Sequence, residues 1–194
     1  MTLPSSEFPP LQSIPPLVAR RGGPVRRWIG RSILRLLGWR MVGALPDESR
    51  FVIIAAPHTS NMDFIVGMSL IWAQSIDARW IGKQELFRGP MNRIFRRLGG
   101  IPVDRHAPGG VVDDAVAAFR NSDRMVLAIA PEGTRKSVTR WKSGFHRIAF
   151  GADVPVVCGF FDRGRKLVGF GPTVWPTGDL EADIQRLRRW YGQE

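Results

Sequence analysis

The chain has 194 residues, 44% of them hydrophobic, which suits one globular domain with a sizeable core. No run of 18 or more apolar residues is present, which excludes a transmembrane helix by the length rule. The single cysteine excludes an internal disulfide framework and a cysteine-based zinc site. The net charge of +11 favours anionic partners, namely nucleic acid, anionic lipid or a phosphorylated substrate.

The chain divides into a proline-rich N-terminal tail, residues 1–24, and a folded domain, residues 25–194. Apolar residues recur at helical spacing between Val25 and Arg40, and arginines fill much of the remaining helix surface. This pattern predicts a basic amphipathic helix with two open interpretations. It lies in an anionic membrane interface, or it packs its apolar stripe on the domain core.

Apolar strands and helices alternate along the rest of the chain, which predicts an α/β fold with a mixed, largely parallel sheet flanked by helices. The predicted strands are residues 51–56, 78–82, 99–105, 125–130 and 154–161, with 167–170 as a hairpin partner of the last. The predicted helices are residues 63–76, 91–98, 111–119, 141–150 and 179–191.

A histidine and an aspartate lie where the first of these strands gives way to a helix. Pro57 ends the strand, and Ser60 is a good N-cap for the helix that follows. His58 therefore falls in the turn and Asp63 in the first helical turn, where the carboxylate can fold back to one imidazole nitrogen. Such a pair leaves the other nitrogen as a general base. The alternative is that His58 is a capping or packing residue and that Asp63 is an acid favoured at the helix start by the helix dipole.

Polar residues follow two further strands: Asp104 and Arg105 after one, Glu132 and Arg135 after another. In open α/β sheets, ligands bind beyond the carboxyl ends of the strands. A base, a glutamate and two arginines that converge there could take a hydroxyl acceptor that carries a phosphate, because the planar guanidinium suits phosphate. The two arginines could equally be ordinary surface residues among 28 basic ones.

Four sequence blocks, in order between about residues 50 and 160, resemble those of the glycerolipid and lysophospholipid acyltransferases, in particular small bacterial 1-acylglycerol-3-phosphate acyltransferase-like members. Residues 57–63 are similar to the His-x4-Asp block and residues 131–135 to the Glu-Gly-Thr-Arg block. The second block is represented by Lys83, Glu85, Leu86, Pro90, Gly99 and residues 101–105, and the start of the fourth by residues 154–157.

The resemblance implies acyl transfer from a thioester donor, acyl-CoA or acyl carrier protein, to the hydroxyl of a lipid acceptor. His58 would be the general base on that hydroxyl, and Asp63 would orient the imidazole. The remaining assignments are to substrate binding: Arg105 and Arg135 would hold the acceptor phosphate, and Glu132 would orient its hydroxyl or position the arginines. Gly133 would permit close backbone approach, and Thr134 belongs to the same block. No metal or other cofactor is implied. The sequence does not identify the oxyanion stabiliser, for which N–H groups at the start of the Asp63 helix are one candidate.

The sequence departs from the family pattern after residue 157, where Cys158 and Gly159 stand in place of a second proline, so the acceptor stays open. A thioesterase that activates water with His58 would use nearly the same site. A non-catalytic membrane-binding or nucleic-acid-binding protein would also explain the positive charge, but the seven tryptophans lie mostly in apolar stretches, which disfavours nucleic acid. The expected location is the cytoplasm, peripheral on the inner face of the cell membrane.

Overall fold

A central β-sheet organises the computed structural model, which describes residues 8–58, 60–103, 110–133 and 140–193. Within these residues the strands of the sheet are β1 (Arg40–Gly43), β2 (Arg50–Ala56), β3 (Ala78–Lys83), β4 (Gly100–Val103), β5 (Met125–Ile129), β6 (Val156–Asp162) and β7 (Leu167–Val174). The helices are α1 (Pro24–Leu36), α2 (Asn61–Ala73), α3 (Met91–Arg97), α4 (Gly110–Arg120), α5 (Gly144–Ala152) and α6 (Leu180–Trp190).

The sheet is mostly parallel. Its seven strands lie in the order β1-β7-β6-β2-β5-β3-β4, and every neighbouring pair from β6 to β4 is parallel. Only β6 and β7 pair antiparallel, as a hairpin, and β1 runs parallel to β7 at the edge. The predicted α/β class and hairpin are therefore confirmed. The carboxyl ends of β2, β5 and β6, three adjacent strands, meet at one edge of the sheet.

Helices cover both faces, and the side chains of each strand alternate between two cores. From β2, Val52 and Ile54 point to the core shared with α4, α5 and α6, while Phe51 and Ile53 point to the core shared with α1 and α2. All four side chains are at most 4% exposed. Burial on both faces explains why β2 is a continuous apolar run rather than an alternating one.

The N-terminal part of the described chain packs on this second core. Residues 8–23 form backbone hydrogen bonds with β1 and with the segment after α2, including Leu11 N–H to the Met41 carbonyl and Arg21 N–H to the Ser75 carbonyl. Val18 is fully buried. The proline-rich segment thus contributes an apolar anchor to the domain despite lacking regular structure of its own.

Helix α1 is shorter than the sequence pattern predicted. It ends at Leu36, and Gly38 then adopts a positive φ of 73°, which leads into the unpredicted edge strand β1. Helix α1 crosses α2 closely at Gly30, where a Cβ atom would lie 2.6 Å from the Ala73 nitrogen. Part of the apolar stripe is therefore packed on the domain, whereas Trp28 is 69% exposed. Among the described residues, no helix combines the length and the apolar character needed to cross a membrane.

Candidate active site

The turn between β2 and α2 holds the histidine and the aspartate that the sequence singled out. The Ser60 hydroxyl accepts a hydrogen bond from the Met62 N–H at 3.0 Å, and the Ser60 N–H donates to Asp63 Oδ2 at 2.8 Å. These bonds form a capping box, which confirms Ser60 as the N-cap of α2. The box draws the Asp63 carboxylate back over the start of the helix, toward His58.

His58 and Asp63 face each other in this turn. His58 Nδ1 lies 3.9 Å from Asp63 Oδ2, longer than a hydrogen bond but close enough for an electrostatic contact. The Asp63 side chain is 1% exposed, whereas that of His58 is 23% exposed. A buried carboxylate on the Nδ1 side of a solvent-accessible imidazole leaves Nε2 as the nitrogen that can take up a proton. The predicted approach of the two groups is therefore present, with a contact that is loose in this conformation.

Glu132, which follows β5, supports the same turn from the neighbouring strand. Its Oε2 accepts a hydrogen bond from the backbone N–H of His58 at 2.8 Å, and its side chain also bonds to that of Gln193. Glu132 is only 6% exposed. Burial raises the pKa of Glu132, and the negative charge of Asp63 raises it further. The hydrogen bonds from His58 and Gln193 lower this pKa, but the net effect is an increase. The carboxylate fixes the backbone position of His58.

The raised pKa of Glu132 gives stability a predictable pH dependence. The folded protein holds the Glu132 proton more tightly than the unfolded chain does, so the contribution of this group is fully present below the unfolded pKa. That contribution is lost as the pH rises through the higher folded pKa. We expect the free energy of unfolding of Glu132→Gln to rise relative to wild type across that range, measured by urea denaturation between pH 4 and pH 8. A difference between the two proteins that does not change with pH would contradict this.

The turn after β5 needs a glycine. Gly133 has a φ of +64°, and a Cβ atom there would lie 2.8 Å from Cε of Lys142. The Lys142 backbone N–H donates to the Pro131 carbonyl at 2.8 Å, which holds the lysine beside the turn. The Lys142 side chain fills the space beside Gly133, and this lysine lines the same cleft as His58.

Three of the predicted substrate-binding residues, Arg105, Thr134 and Arg135, lie outside the described residues. The neighbouring Asp104 does so as well. The assignment of Arg105 and Arg135 to an acceptor phosphate, and of Thr134 to substrate binding, stays a prediction. Strand β4 ends at Val103 and β5 at Ile129, so both predicted strands end shortly before these residues.

Two further contacts of the site were not found by inspection of the sequence. Arg163, in the β6–β7 turn, donates from Nη2 to Asp63 Oδ1 at 2.7 Å and to Oδ2 at 2.9 Å. Gln193 accepts a hydrogen bond from Trp141 Nε1 at 2.9 Å and contacts Glu132. The strand-end rule, applied to β6, would have found Arg163. No sequence signal identified Gln193, which reaches the site through the docking of α6.

A second His–Asp pair, His146 and Asp183, joins α5 to α6. His146 Nε2 lies 2.8 Å from Asp183 Oδ2, and the Thr177 N–H and hydroxyl also donate to Asp183. Burial alone would raise the pKa of Asp183, but the bonds from His146 and Thr177 hold it below its usual value. Because His146 is only 4% exposed, this pair is suited to joining helices rather than to catalysis.

A cleft of about 1480 Å³ opens beside His58 and Asp63. Its walls near α2, β3 and α3 are apolar and include Phe64, Trp80 and Phe95, whose rings pack at centroid distances of 4.9 to 6.2 Å. Gly82 in β3 leaves room for this cluster, since a Cβ atom there would lie 2.6 Å from the Trp80 ring. A base that lines a largely apolar cleft could act on a substrate with a long hydrocarbon part.

No group of three His, Cys, Asp or Glu side chains in the described parts of the chain is placed to hold a metal ion. The expectation that the reaction needs no metal or other cofactor stays a prediction.

We compared the sequence and the fold with those of known proteins and protein families. No curated protein sequence matches the chain. The crystal structure of PlsC from Thermotoga maritima, a 1-acyl-sn-glycerophosphate (LPA) acyltransferase, is similar in fold, with a TM-score of 0.57 at 21% identity. The match covers 88% of this chain and 80% of that one. The acyltransferase family model matches residues 42–159, more than half of the chain, and this protein therefore belongs to the acyltransferase family.

Proposed function

We propose that this acyltransferase moves a fatty acyl group from a thioester, acyl-CoA or acyl carrier protein, to a hydroxyl of a lysophospholipid or a glycerol-phosphate-like lipid. The observation that carries the proposal is the placement of His58 beside the buried Asp63 carboxylate, in the lining of a largely apolar cleft. Such a cleft suits the hydrocarbon chain of a lipid, and the base within it suits proton transfer from a hydroxyl of the same lipid.

In the proposed reaction, His58 Nε2 takes the proton of the acceptor hydroxyl as its oxygen attacks the thioester carbonyl. Asp63 stabilises the imidazolium that forms. When the tetrahedral intermediate collapses, the carbon–sulfur bond breaks, and the imidazolium returns the proton to the departing thiolate. The products are an ester and a free thiol, and no covalent acyl-enzyme is needed. The Ser60 and Met62 N–H groups at the start of α2 already donate within the capping box, so the donors to the oxyanion are not assigned.

Recognition of an anionic headgroup is supported by the cations around the site. Lys83, Arg140 and Lys142 line the cleft. Arg105 and Arg135 are proposed as further phosphate ligands from the family resemblance, and Glu132, Gly133 and Thr134 as further substrate-binding residues. The Thermotoga maritima relative is named for 1-acyl-sn-glycerophosphate, and we propose an acceptor of that chemical class for this chain.

Thiol release measured against a panel of acceptors tests the proposal. With labelled acyl-CoA, we expect release to depend on a hydroxyl acceptor and to yield an acylated lipid, detected by mass spectrometry. A lysophospholipid should serve as acceptor, while the same lipid with its hydroxyl already acylated should not. Equal thiol release without any acceptor would instead identify a thioesterase. If no acylated lipid forms with acyl-CoA, the assay is repeated with acyl-loaded acyl carrier protein. The proposed acyl transfer is rejected only if both donors fail.

We further propose that the protein binds the anionic inner surface of the cell membrane through α1. The exposed side of this helix carries Trp28 and several arginines, a composition suited to an anionic interface. Because each basic residue near such a surface contributes about 1 kcal/mol, Arg27→Glu/Arg31→Glu should weaken vesicle binding at least about tenfold. Sedimentation with phosphatidylglycerol-containing vesicles measures this.

The matched control is Arg186→Glu/Arg189→Glu, which reverses the charge of two exposed arginines on α6 and gives the same change in net charge. If the two double variants lose affinity equally, overall charge governs binding and α1 is not the docking element. Arg26 is left unchanged in both, because its guanidinium lies over the Trp72 ring, 5.1 Å from the ring centroid, and belongs to the α1–α2 packing.

A further inference from the structure

Arg163 reaches the candidate active site from a strand that carries none of the predicted site residues. Strands β2 and β6 run parallel with Ala56 opposite Phe160, so the turns that follow them lie side by side. Arg163 is three residues beyond Phe160, in the tight β6–β7 turn. The parallel register therefore brings this arginine to the start of α2, 100 residues away in the sequence.

The guanidinium contacts both oxygens of a carboxylate that is almost inaccessible to solvent. Nη2 of Arg163 lies 2.7 Å from Oδ1 and 2.9 Å from Oδ2 of Asp63, whose side chain is 1% exposed. Oδ2 also accepts the Ser60 N–H at 2.8 Å and lies 3.9 Å from His58 Nδ1. The carboxylate that faces the imidazole is thus shared with a permanent cation, and its orientation is fixed from two sides.

The charge of Arg163 bears on the protonation of His58. A buried carboxylate alone favours the imidazolium, the form that cannot act as a base, and an arginine paired with that carboxylate offsets its charge. The charged groups around His58 come from each neighbouring element. Among the described residues they are Asp63 from α2, Glu132 from the turn after β5 and Arg163 from the turn after β6. The cleft that His58 lines is also lined by charged residues of both signs, namely Lys83, Asp113, Arg140, Lys142, Arg147, Glu181 and Arg188.

We infer that Arg163 is a positioning residue that orients Asp63 and balances its charge, so that His58 remains a neutral base near pH 7. This inference rests on the proposed function of His58, but the Arg163–Asp63 contact and its influence on the imidazole can be measured without any turnover.

The direct test is an NMR titration of the His58 ring in the full chain, assigned with His58→Ala. In Arg163→Gln we expect the His58 titration to move to higher pH, while Arg163→Lys, which keeps the positive charge, should titrate close to wild type. Arg165→Gln is the matched control, because Arg165 lies in the same turn but pairs with Asp162 instead. An unchanged titration in Arg163→Gln, or a shift of the same size in Arg163→Lys, would overturn the inference.

Removal of Arg163 leaves a buried carboxylate without its cation, so Arg163→Gln could fail to fold. In that case Asp63→Asn is compared with Asp63→Asn/Arg163→Gln, neither of which contains that carboxylate. If the guanidinium charge acts on the imidazole, the double variant titrates at higher pH than the single one. Equal titrations would contradict the inference.

Activity provides the second readout. For Arg163→Gln, kcat/KM at pH 6.5 should fall about tenfold, and the acid limb of its pH profile should move to higher pH. A uniform loss at all pH values would point to a purely structural role and contradict the charge effect. If wild type shows no acceptor-dependent thiol release but the titration shift is present, the proposed function fails while the role of Arg163 toward His58 stands.

Discussion

His58→Ala is expected to lower acceptor-dependent thiol release by about 1,000-fold, because general-base catalysis contributes roughly 10²- to 10⁴-fold. Alanine cannot take the hydroxyl proton, and no other imidazole in the described residues lies in the His58–Asp63 turn. The variant should fold normally, since the His58 backbone N–H, which Glu132 accepts, is retained. Steady-state kinetics with acyl-CoA and the acceptor identified by the panel measure the loss, and thermal unfolding checks the fold.

Two substitutions close to His58 serve as comparisons for His58→Ala. Asp63→Asn keeps the shape of the side chain but removes the charge that stabilises the imidazolium, so it should also reduce kcat. Met62→Ala changes an adjacent side chain that is 42% exposed, and it should leave kcat near wild type. A His58→Ala protein as active as wild type would exclude His58 as the base, and a large loss in Met62→Ala would show that the turn tolerates no change.

The His58–Asp63 turn could be predicted from the sequence because its geometry is local. Proline ends the strand, Ser60 caps the helix, and the capping box draws Asp63 back toward the turn within a few residues. The alternation of strands and helices was equally informative, since an apolar run such as β2 can be buried on both faces only in a sheet that helices cover on each side. The α/β class followed from that pattern.

The partners of these residues could not be predicted, because they depend on strand order. Glu132 was identified as a site residue, but its bond to the His58 N–H follows from the pairing of β2 with β5. Arg163 contacts Asp63 because β6 lies on the other side of β2. Strand β1 was not predicted either. It has only four residues, and its place in the sheet comes from pairing with β7.

Tyr191→Ala is expected to lower the free energy of unfolding by about 3–5 kcal/mol, the usual cost of removing a buried aromatic side chain. Tyr191 follows α6 and is fully buried, with Trp190 and Trp141 against its ring at centroid distances of 4.7 and 5.5 Å. Its hydroxyl donates to the Gly159 carbonyl at 2.9 Å and contacts the Ile54 carbonyl at 3.3 Å. Urea denaturation at 25 °C measures the loss.

The effect should extend to the site, because Gln193 lies two residues beyond Tyr191 and contacts Glu132, which holds the His58 turn. Tyr191→Phe keeps the ring and removes only the hydroxyl, so it should cost about 1–2 kcal/mol and retain most activity. Arg186→Ala, on the exposed side of α6, should change stability by less than about 0.5 kcal/mol. If Tyr191→Ala is as stable as wild type, α6 does not anchor the C-terminal segment to β2 and β6. If it is destabilised but catalyses as fast per folded molecule, Gln193 is not needed to hold Glu132 against His58.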